Sequence, residues 1–446
     1  MSKKLITLAV VMSFALIGAT FAAVEDIKVS GDITAQTLTR DLTLGLENIN
    51  YDSEDYLFSQ VRLRFDVDLT EEVSAVIQLI NERLWDTEGA ANTDMDLDLA
   101  YVKMGQMLYE PLTVIIGRQN LRYGNSLVVG DPDTNQTVSA AGISQSGDLS
   151  LRKSFDAVRA ILDYAPYSID LVYAKVTETN VTEPDDDVTL MGANVNYQWD
   201  SYNGVTEGYL FVSDNQRGVT TQSPENQSIT YVVGARSQAD LNDNVTLGGE
   251  VAYQFGDAQS PHASYTVPNT SDLVRQAFAV QTMAEYRFLN DYDAKLNASY
   301  TYLSGDDDRD DDRFNAWDPM YEDQAPAEIL NILGANTNAQ FITLSGSMMP
   351  REDLTVGLIY AKALLAKKYN QGSTWSPVVG PASGNTYAVD RDNSNIGDEI
   401  DLFGVYDYTE DVQMKLTAAA FLPGSFFTEA NDSLAYSVRG SVAVLF

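Results

Sequence analysis

Along most of the chain, apolar and polar residues alternate with a period of two. In the last segment Tyr436, Val438, Gly440, Val442, Val444 and Phe446 fall on one face. Ala435, Ser437, Arg439, Ser441 and Ala443, all small or polar, fall on the other. Residues 57–69 repeat the pattern, with Leu57, Val61, Leu63, Phe65, Val67 and Leu69 against Gln60, Arg62, Arg64, Asp66 and Asp68. So do Met191, Ala193, Val195, Tyr197 and Trp199 against Asn194, Asn196 and Gln198. Leu247, Val251, Tyr253 and Phe255 alternate in the same way with Glu250 and Gln254. Successive strand side chains point to opposite faces, so such runs predict half-buried strands rather than helices. About 18 segments qualify: 26–37, 56–69, 72–84, 96–106, 111–120, 153–165, 167–177, 187–199, 205–214, 228–239, 243–255, 273–288, 292–303, 338–349, 353–365, 397–408, 411–422 and 433–446.

The gaps between segments alternate in length. Long gaps fall near 38–55, 121–152, 256–272, 304–337 and 366–396. Short ones fall at 70–71, 165–167, 241–242, 290–291, 350–352 and 409–410, and turn residues mark 200–204 and 241–244. A soluble sandwich has no reason to sort its loops by parity. An up-and-down barrel in an outer membrane does, with short periplasmic turns and long external loops. The pattern therefore predicts an all-β, transmembrane antiparallel barrel of about 18 strands. Aromatic pairs sit at the ends of the apolar phase: Tyr197 and Trp199, Tyr253 and Phe255, Tyr286 and Phe288, Tyr300 and Tyr302, Tyr406 and Tyr408. Tyr and Trp favour the headgroup level because an apolar ring carries a polar tip. Phe446, closing an alternating strand, resembles the C-terminal signal that outer-membrane barrels present to the barrel-assembly machinery.

Residues 1–22 stand outside this pattern. Lys3 and Lys4 precede an uncharged apolar stretch, Leu5 to Phe21, followed by Ala22 and Ala23. This reads as a secretory signal cut after Ala22, as expected for a Gram-negative outer-membrane protein. A single membrane anchor is the plainer alternative, but Glu25, Asp26 and a strand pattern follow at once. The chain has 64 acidic and 28 basic residues, a net charge of −36, and removing the two leader lysines takes it to −38. Such a charge argues against nucleic acid as a partner, since phosphates need basic neutralisation. There is no Cys, and the single His is His262. Thiol chemistry is excluded, and little remains for imidazole catalysis or a His-rich metal site. No nucleophile motif accompanies His262 and no phosphate-binding glycine loop opens a helix. The chain reads as a non-enzyme without a cofactor.

Three stretches go beyond a generic barrel. They are Gly117-Arg118-Gln119-Asn120-Leu121-Arg122-Tyr123-Gly124, then Tyr302-Leu303-Ser304-Gly305-Asp306-Asp307-Asp308 with Phe314 and Pro319-Met320-Tyr321, then Gly397-Asp398-Glu399-Ile400-Asp401-Leu402 with Phe421-Leu422-Pro423-Gly424-Ser425-Phe426. In order and spacing they resemble the bacterial alginate export porin family. The resemblance covers most of the mature chain and implies an 18-stranded barrel with a charged lumen. Members that pass alginate are expected to line a constriction with arginines. This chain is very acidic, so the fold carries over better than the substrate.

Charges on the polar phase should face the lumen, because a bare charge at the lipid midplane costs about 2–4 kcal/mol. The inward basic set is Arg62, Arg64, Arg159, Arg236, Arg287, Lys295, Lys415 and Arg439. The family motif adds Arg118, whose own strand is apolar on both faces. Inward acids include Asp66, Asp68, Glu82, Glu250, Glu285, Glu399, Asp401 and Asp407. Unpaired arginines would form a ladder for anionic sugars, since guanidinium binds carboxylate bidentately. Arginine–carboxylate pairs bracing the wall are the plainer reading. The expected function is a passive diffusion channel for anionic or polar carbohydrate. The alternative is a non-transporting structural or adhesive barrel whose acidic loops carry the function. The acidic run 306–312 is a weak metal candidate through Asp306, Asp307 and Asp308, without EF-hand spacing. A solvated loop, or divalent bridging to lipopolysaccharide phosphates, are the other readings. The remaining expected partners are outer-membrane lipid and lipopolysaccharide.

Overall fold

The computed structural model describes residues 24–45, 54–85, 95–132, 147–178, 187–216, 227–258, 273–307, 312–334, 336–368, 374–375 and 387–446. The proposed leader, His262 and Asp308 lie outside them. Among the described residues, eighteen long strands carry the fold. They are β1 (Asp26–Asp41), β2 (Glu54–Thr70), β3 (Val73–Leu84), β4 (Asp96–Met104), β5 (Leu112–Asn120), β6 (Ser154–Tyr164), β7 (Tyr167–Thr177), β8 (Val188–Gln198) and β9 (Val205–Asn215). The second half holds β10 (Ser228–Asp240), β11 (Val245–Asp257), β12 (Val274–Arg287), β13 (Lys295–Leu303), β14 (Ala339–Arg351), β15 (Leu354–Leu365), β16 (Asn395–Asp407), β17 (Val412–Pro423) and β18 (Ala435–Leu445).

Each strand pairs antiparallel with the next, and β18 returns to β1, with Leu445 opposite Asp32 and Tyr436 opposite Asp41. Closure removes every sheet edge, which hydrocarbon would otherwise leave unpaired. At the seam Gly31 N donates to Phe446 O at 2.8 Å, and Phe446 N returns a bond to Gly31 O at 3.0 Å. A Cβ on Gly31 would lie 2.5 Å from Arg62 O and 2.8 Å from the Phe446 ring, so only glycine leaves room for the terminal aromatic there. Connections leaving even strands span two to seven residues, and those leaving odd strands span ten to thirty-five. The expected sorting of loops is therefore present throughout. The strands also match the expected segments, apart from ends such as β1, which runs on to Asp41.

The outer face is apolar and open, as Val29, Ile33, Leu171, Val195, Val251 and Phe278 illustrate. The inner face divides by height. Toward the short turns it is polar and accessible. Toward the long loops it is buried, because the loops fold inward. Leu121, Tyr123, Leu127, Val128 and Val129 from the β5–β6 loop pack with Trp317, Met320, Tyr321, Ile329 and Leu333 from the β13–β14 loop. The two loops are stitched together by Tyr321 N donating to Val128 O at 3.0 Å and Gly130 N to Tyr321 O at 2.6 Å. Their apolar side chains meet inner-face Phe155, Phe211, Val232, Phe341 and Phe421. Between these stand small residues, Ala174, Ala277, Ala279, Ala361 and Ala363, that leave room for the loops. The hydrophobic core of this barrel is thus a plug in the external half of its lumen.

Candidate functional site

The plug is fastened to the wall by carboxylates. Glu207, Arg236, Glu250, Gln281 and Thr301 stand directly opposite one another on five adjacent strands, β9 to β13, and form one inner-face row. The tip of the β5–β6 loop lands on this row. Gly124 N donates to Glu207 Oε2 at 3.1 Å, and Asn125 N donates to Glu250 Oε2 at 2.7 Å. Arg236 Nε donates to Asn125 Oδ1 at 2.7 Å, and Asn125 Nδ2 donates to Gln281 Oε1 at 2.9 Å. Tyr209 completes the shell of Glu250 through its hydroxyl at 2.7 Å. Gly124 adopts φ +58, and a Cβ there would lie 2.6 Å from Glu250 Oε1. The glycine of the sequence motif is therefore where loop backbone touches a wall carboxylate.

Two further anchors repeat the device. Glu399 on β16 accepts from Ile329 N at 2.6 Å and Leu330 N at 2.7 Å, at the start of a four-residue helix in the β13–β14 loop. Asp401 beside it accepts from Glu328 N at 3.2 Å. On the other side Glu82 accepts from Leu151 N and Ser150 Oγ, both at 2.8 Å, while Arg40 holds Asp148 at 3.0 Å. Charge-assisted bonds of this kind are about twice as strong as neutral ones. Inside the plug Glu322 accepts from Asn336 Nδ2 at 2.7 Å, and burial pushes its carboxyl up to about 8. Burial also raises Asp323, but the Lys153 ammonium and Arg122 guanidinium outweigh it and hold Asp323 below the usual carboxylate range.

The inward arginines are not an unpaired ladder. Arg62 binds Asp32 at 2.8 Å, Arg64 binds Asp66 at 2.7 Å, and Arg287 binds Glu285 at 2.6 Å. Lys295 reaches Asp293 at 2.9 Å, Arg236 reaches Glu207 at 3.0 Å, and Arg159 pairs with Asp170. Three of these pairs cross between neighbouring strands, Arg62–Asp32, Arg236–Glu207 and Arg159–Asp170, and the other three join residues two apart on one face of the same segment. Three of these arginines also touch the plug. Arg159 lies 5.8 Å from the Tyr123 ring centre, Arg236 holds Asn125, and Arg439 reaches Glu328 at 2.8 Å. Lys415 is exposed on the inner face of β17 and has no ion pair among the described residues. Arg118 is a correction. It stands opposite Asp156, bonded to it at 3.1 Å, on the same face as exposed Ile116 and Val158. Two apolar faces hide phase, and the pairing register settles it: Arg118 is on the outer side.

In the acidic run, Asp306 is buried and Asp307 pairs with Lys367 at 3.3 Å. Asn125, Gln324, Glu322 and Glu328 escape a reading by strand phase because they come from loops. The signal that points to them is apolar residues on both faces at the external strand ends, as at Ala361 and Ala363.

Comparison with known proteins follows the same line. No curated protein matches the chain. Among solved structures, Pseudomonas aeruginosa OccK3 (OpdO) is similar with a TM-score of 0.57 at 10% identity, covering 95% of this chain and 97% of that one. Pseudomonas aeruginosa OccK11 (OpdR) follows at 0.56 and 10%, covering 95% and 96%. Pseudomonas aeruginosa OccK2 (OpdF), solved in complex with glucuronate, gives 0.54 and 11%, covering 95% and 98%. At such identities the likeness is one of fold. A family model described as alginate export matches residues 36–440. With that match and this barrel, the chain is an outer-membrane channel, and it belongs to the alginate export family.

Proposed function

We propose that the channel passes anionic or polar carbohydrate by passive diffusion. The observation that carries this reading is a basic strip on the accessible inner wall. Arg62 and Arg64 on β2, Arg439 on β18 and Lys415 on β17 belong to three strands that adjoin through β1 across the seam. Arg62, Arg64 and Arg439 are each matched by one carboxylate, and Lys415 has none within 4 Å among the described residues. Arg62 and Arg64 keep about a third of their side-chain surface open, enough for a guanidinium to add a second carboxylate. Glu328, at the edge of the plug, bonds Arg439 and is the group an incoming uronate would displace. The glucuronate bound in OccK2, a neighbour in fold, is of the same chemical class.

Planar-bilayer recording tests the proposal. Anion selectivity and block by uronate oligomers are expected, and each should fall in Lys415→Ala and further when Arg62→Ala and Arg64→Ala are added. A cation-selective pore indifferent to all three substitutions would remove the basic strip from the mechanism. A second reading has its own support in the dense packing of the plug, which suits a non-transporting barrel. Absence of stepwise conductance from folded protein would favour it.

A further inference from the structure

Charged side chains on the lipid side of a barrel are disfavoured unless they reach the headgroup level. Among the described residues they include two cross-strand clusters. Arg118, Asp156 and Lys175 lie side by side across β5, β6 and β7, with Arg118 opposite Asp156 and Asp156 opposite Lys175. Their face is the outer one, since exposed Val158, Leu171 and Tyr173 share it. Arg118 Nη1 meets Asp156 Oδ2 at 3.1 Å, and Lys175 Nζ meets Asp187 Oδ2 at 3.1 Å and also pairs with Glu178. On the opposite side of the barrel Lys362 and Tyr360 both donate to Asp398, at 2.7 and 2.6 Å, beside exposed Leu358, Ile400 and Leu422.

The two groups share a depth. Lys175 stands eight residues beyond Tyr167, the first residue of β7, and Lys362 eight beyond Leu354, the first of β15. At about 3.3 Å per residue and a tilt near 40°, both rise roughly 20 Å above the periplasmic rim. That height is close to the far edge of an apolar band about 25 Å tall. From there the long cationic side chains reach up along the wall to the headgroups of the outer leaflet, about 5 Å further.

We propose that Arg118, Asp156 and Lys175 form a binding site for phosphorylated glycolipid headgroups of the outer leaflet, with a divalent cation bridging Asp156 to the phosphates. The alternation of cation, carboxylate and cation along the row complements phosphate, divalent cation and phosphate. Strands about 4.8 Å apart put the two cationic stems roughly 10 Å apart, so each can take a different phosphate, Lys175 by exchanging one of its two carboxylates for it. Arg118 commits one nitrogen to Asp156 and keeps further donors in a fork that suits phosphate. The site is independent of carbohydrate passage, because it lies on the opposite face of the wall.

The test uses the full-length barrel in neutral detergent, a bis-phosphorylated glycolipid, its dephosphorylated form and inorganic phosphate, with binding read by native mass spectrometry. A basic residue near an anionic surface contributes roughly fivefold to affinity. R118A/K175A is thus expected to weaken binding of the phosphorylated lipid about 25-fold and to leave the dephosphorylated lipid unaffected. D156N should abolish the gain that Mg²⁺ gives the wild type while matching it in EDTA. Unaltered heat-modifiable mobility shows that each variant is folded. Equal binding by R118A/K175A and wild type would overturn the proposal. So would equal binding of the dephosphorylated lipid, or complete displacement by inorganic phosphate at matched concentration.

Discussion

Gly124→Ala puts the carboxylate anchoring of the plug to a direct test. The substitution adds one carbon and removes no donor, yet two costs fall on the docked loop. An L-residue at φ +58 costs about 1 kcal/mol relative to glycine. The new Cβ would also lie 2.6 and 2.8 Å from the two Glu250 oxygens, inside any tolerated contact. Glu250 can swing away only by giving up Asn125 N and the Tyr209 hydroxyl, both now at 2.7 Å. Losing a single bond to a charged group costs about 1.5–3 kcal/mol. Strain plus one lost bond at the low end of that range comes to roughly 2.5 kcal/mol, and a tenfold change takes about 1.4 kcal/mol, so the docked loop should open at least about 60-fold more often. Hydrogen exchange at the Asn125 amide reads this opening locally, and single-channel current should rise with it. The strands should be unaffected, since their ladder closes without the loop. Unchanged exchange at Asn125 in a variant with Ala at this position would refute the claim that Glu250 holds the loop.

Two further outcomes follow from the plug. Glu322 titrates near 8 in the docked loop against an ordinary 4.5, so the docked state retains a proton that the undocked state releases. Docking is then strongest below pH 4.5, weakens as pH rises toward 8, and levels off above it. Fluorescence of Trp317, buried in the plug, should follow that profile, and Glu322→Gln should flatten it. Ala361 is fully buried where β15 meets the plug, so Ala361→Leu overpacks the site at about 1–3 kcal/mol. It should raise conductance or its fluctuation while leaving thermal unfolding of the barrel nearly unchanged, and normal conductance would mean that the alanines are not there to make room.

Strand phase was readable because each strand meets two different solvents. Leu57, Val61 and Leu63 face lipid while Gln60, Arg62 and Arg64 face the lumen, so period two survives along β2. Where both faces meet apolar surroundings the period disappears. That is why the phase of β5 comes from pairing rather than pattern, and why the family motif sets Arg118 on the wrong side of the wall. Partnering is a register property. Nothing in the local sequence of β10 says that Arg236 will stand between Glu207 and Glu250. The loops are harder still, because their inward course depends on wall residues 70 to 125 positions away, as Ile329 does on Glu399 and Asn125 on Glu250.

The net charge of −36 takes on a different meaning in this light. A channel for anions gains nothing from acids exposed in its lumen, and the most deeply placed ones are not exposed. Glu82, Glu250, Glu399 and Asp401 are all nearly inaccessible, and each accepts a hydrogen bond from loop backbone. Inward-folded loops carry N–H groups that have no sheet partner, and burying one unpaired costs about 1–3 kcal/mol. A wall carboxylate meets that need with two oxygens and a stronger bond than a neutral acceptor. Acids so used are screened from the passage by the loops they hold, while Arg62, Arg64 and Lys415 remain accessible below. One acidic sequence can therefore keep cationic side chains accessible in its lumen, because much of its inner-wall acid holds the plug in place.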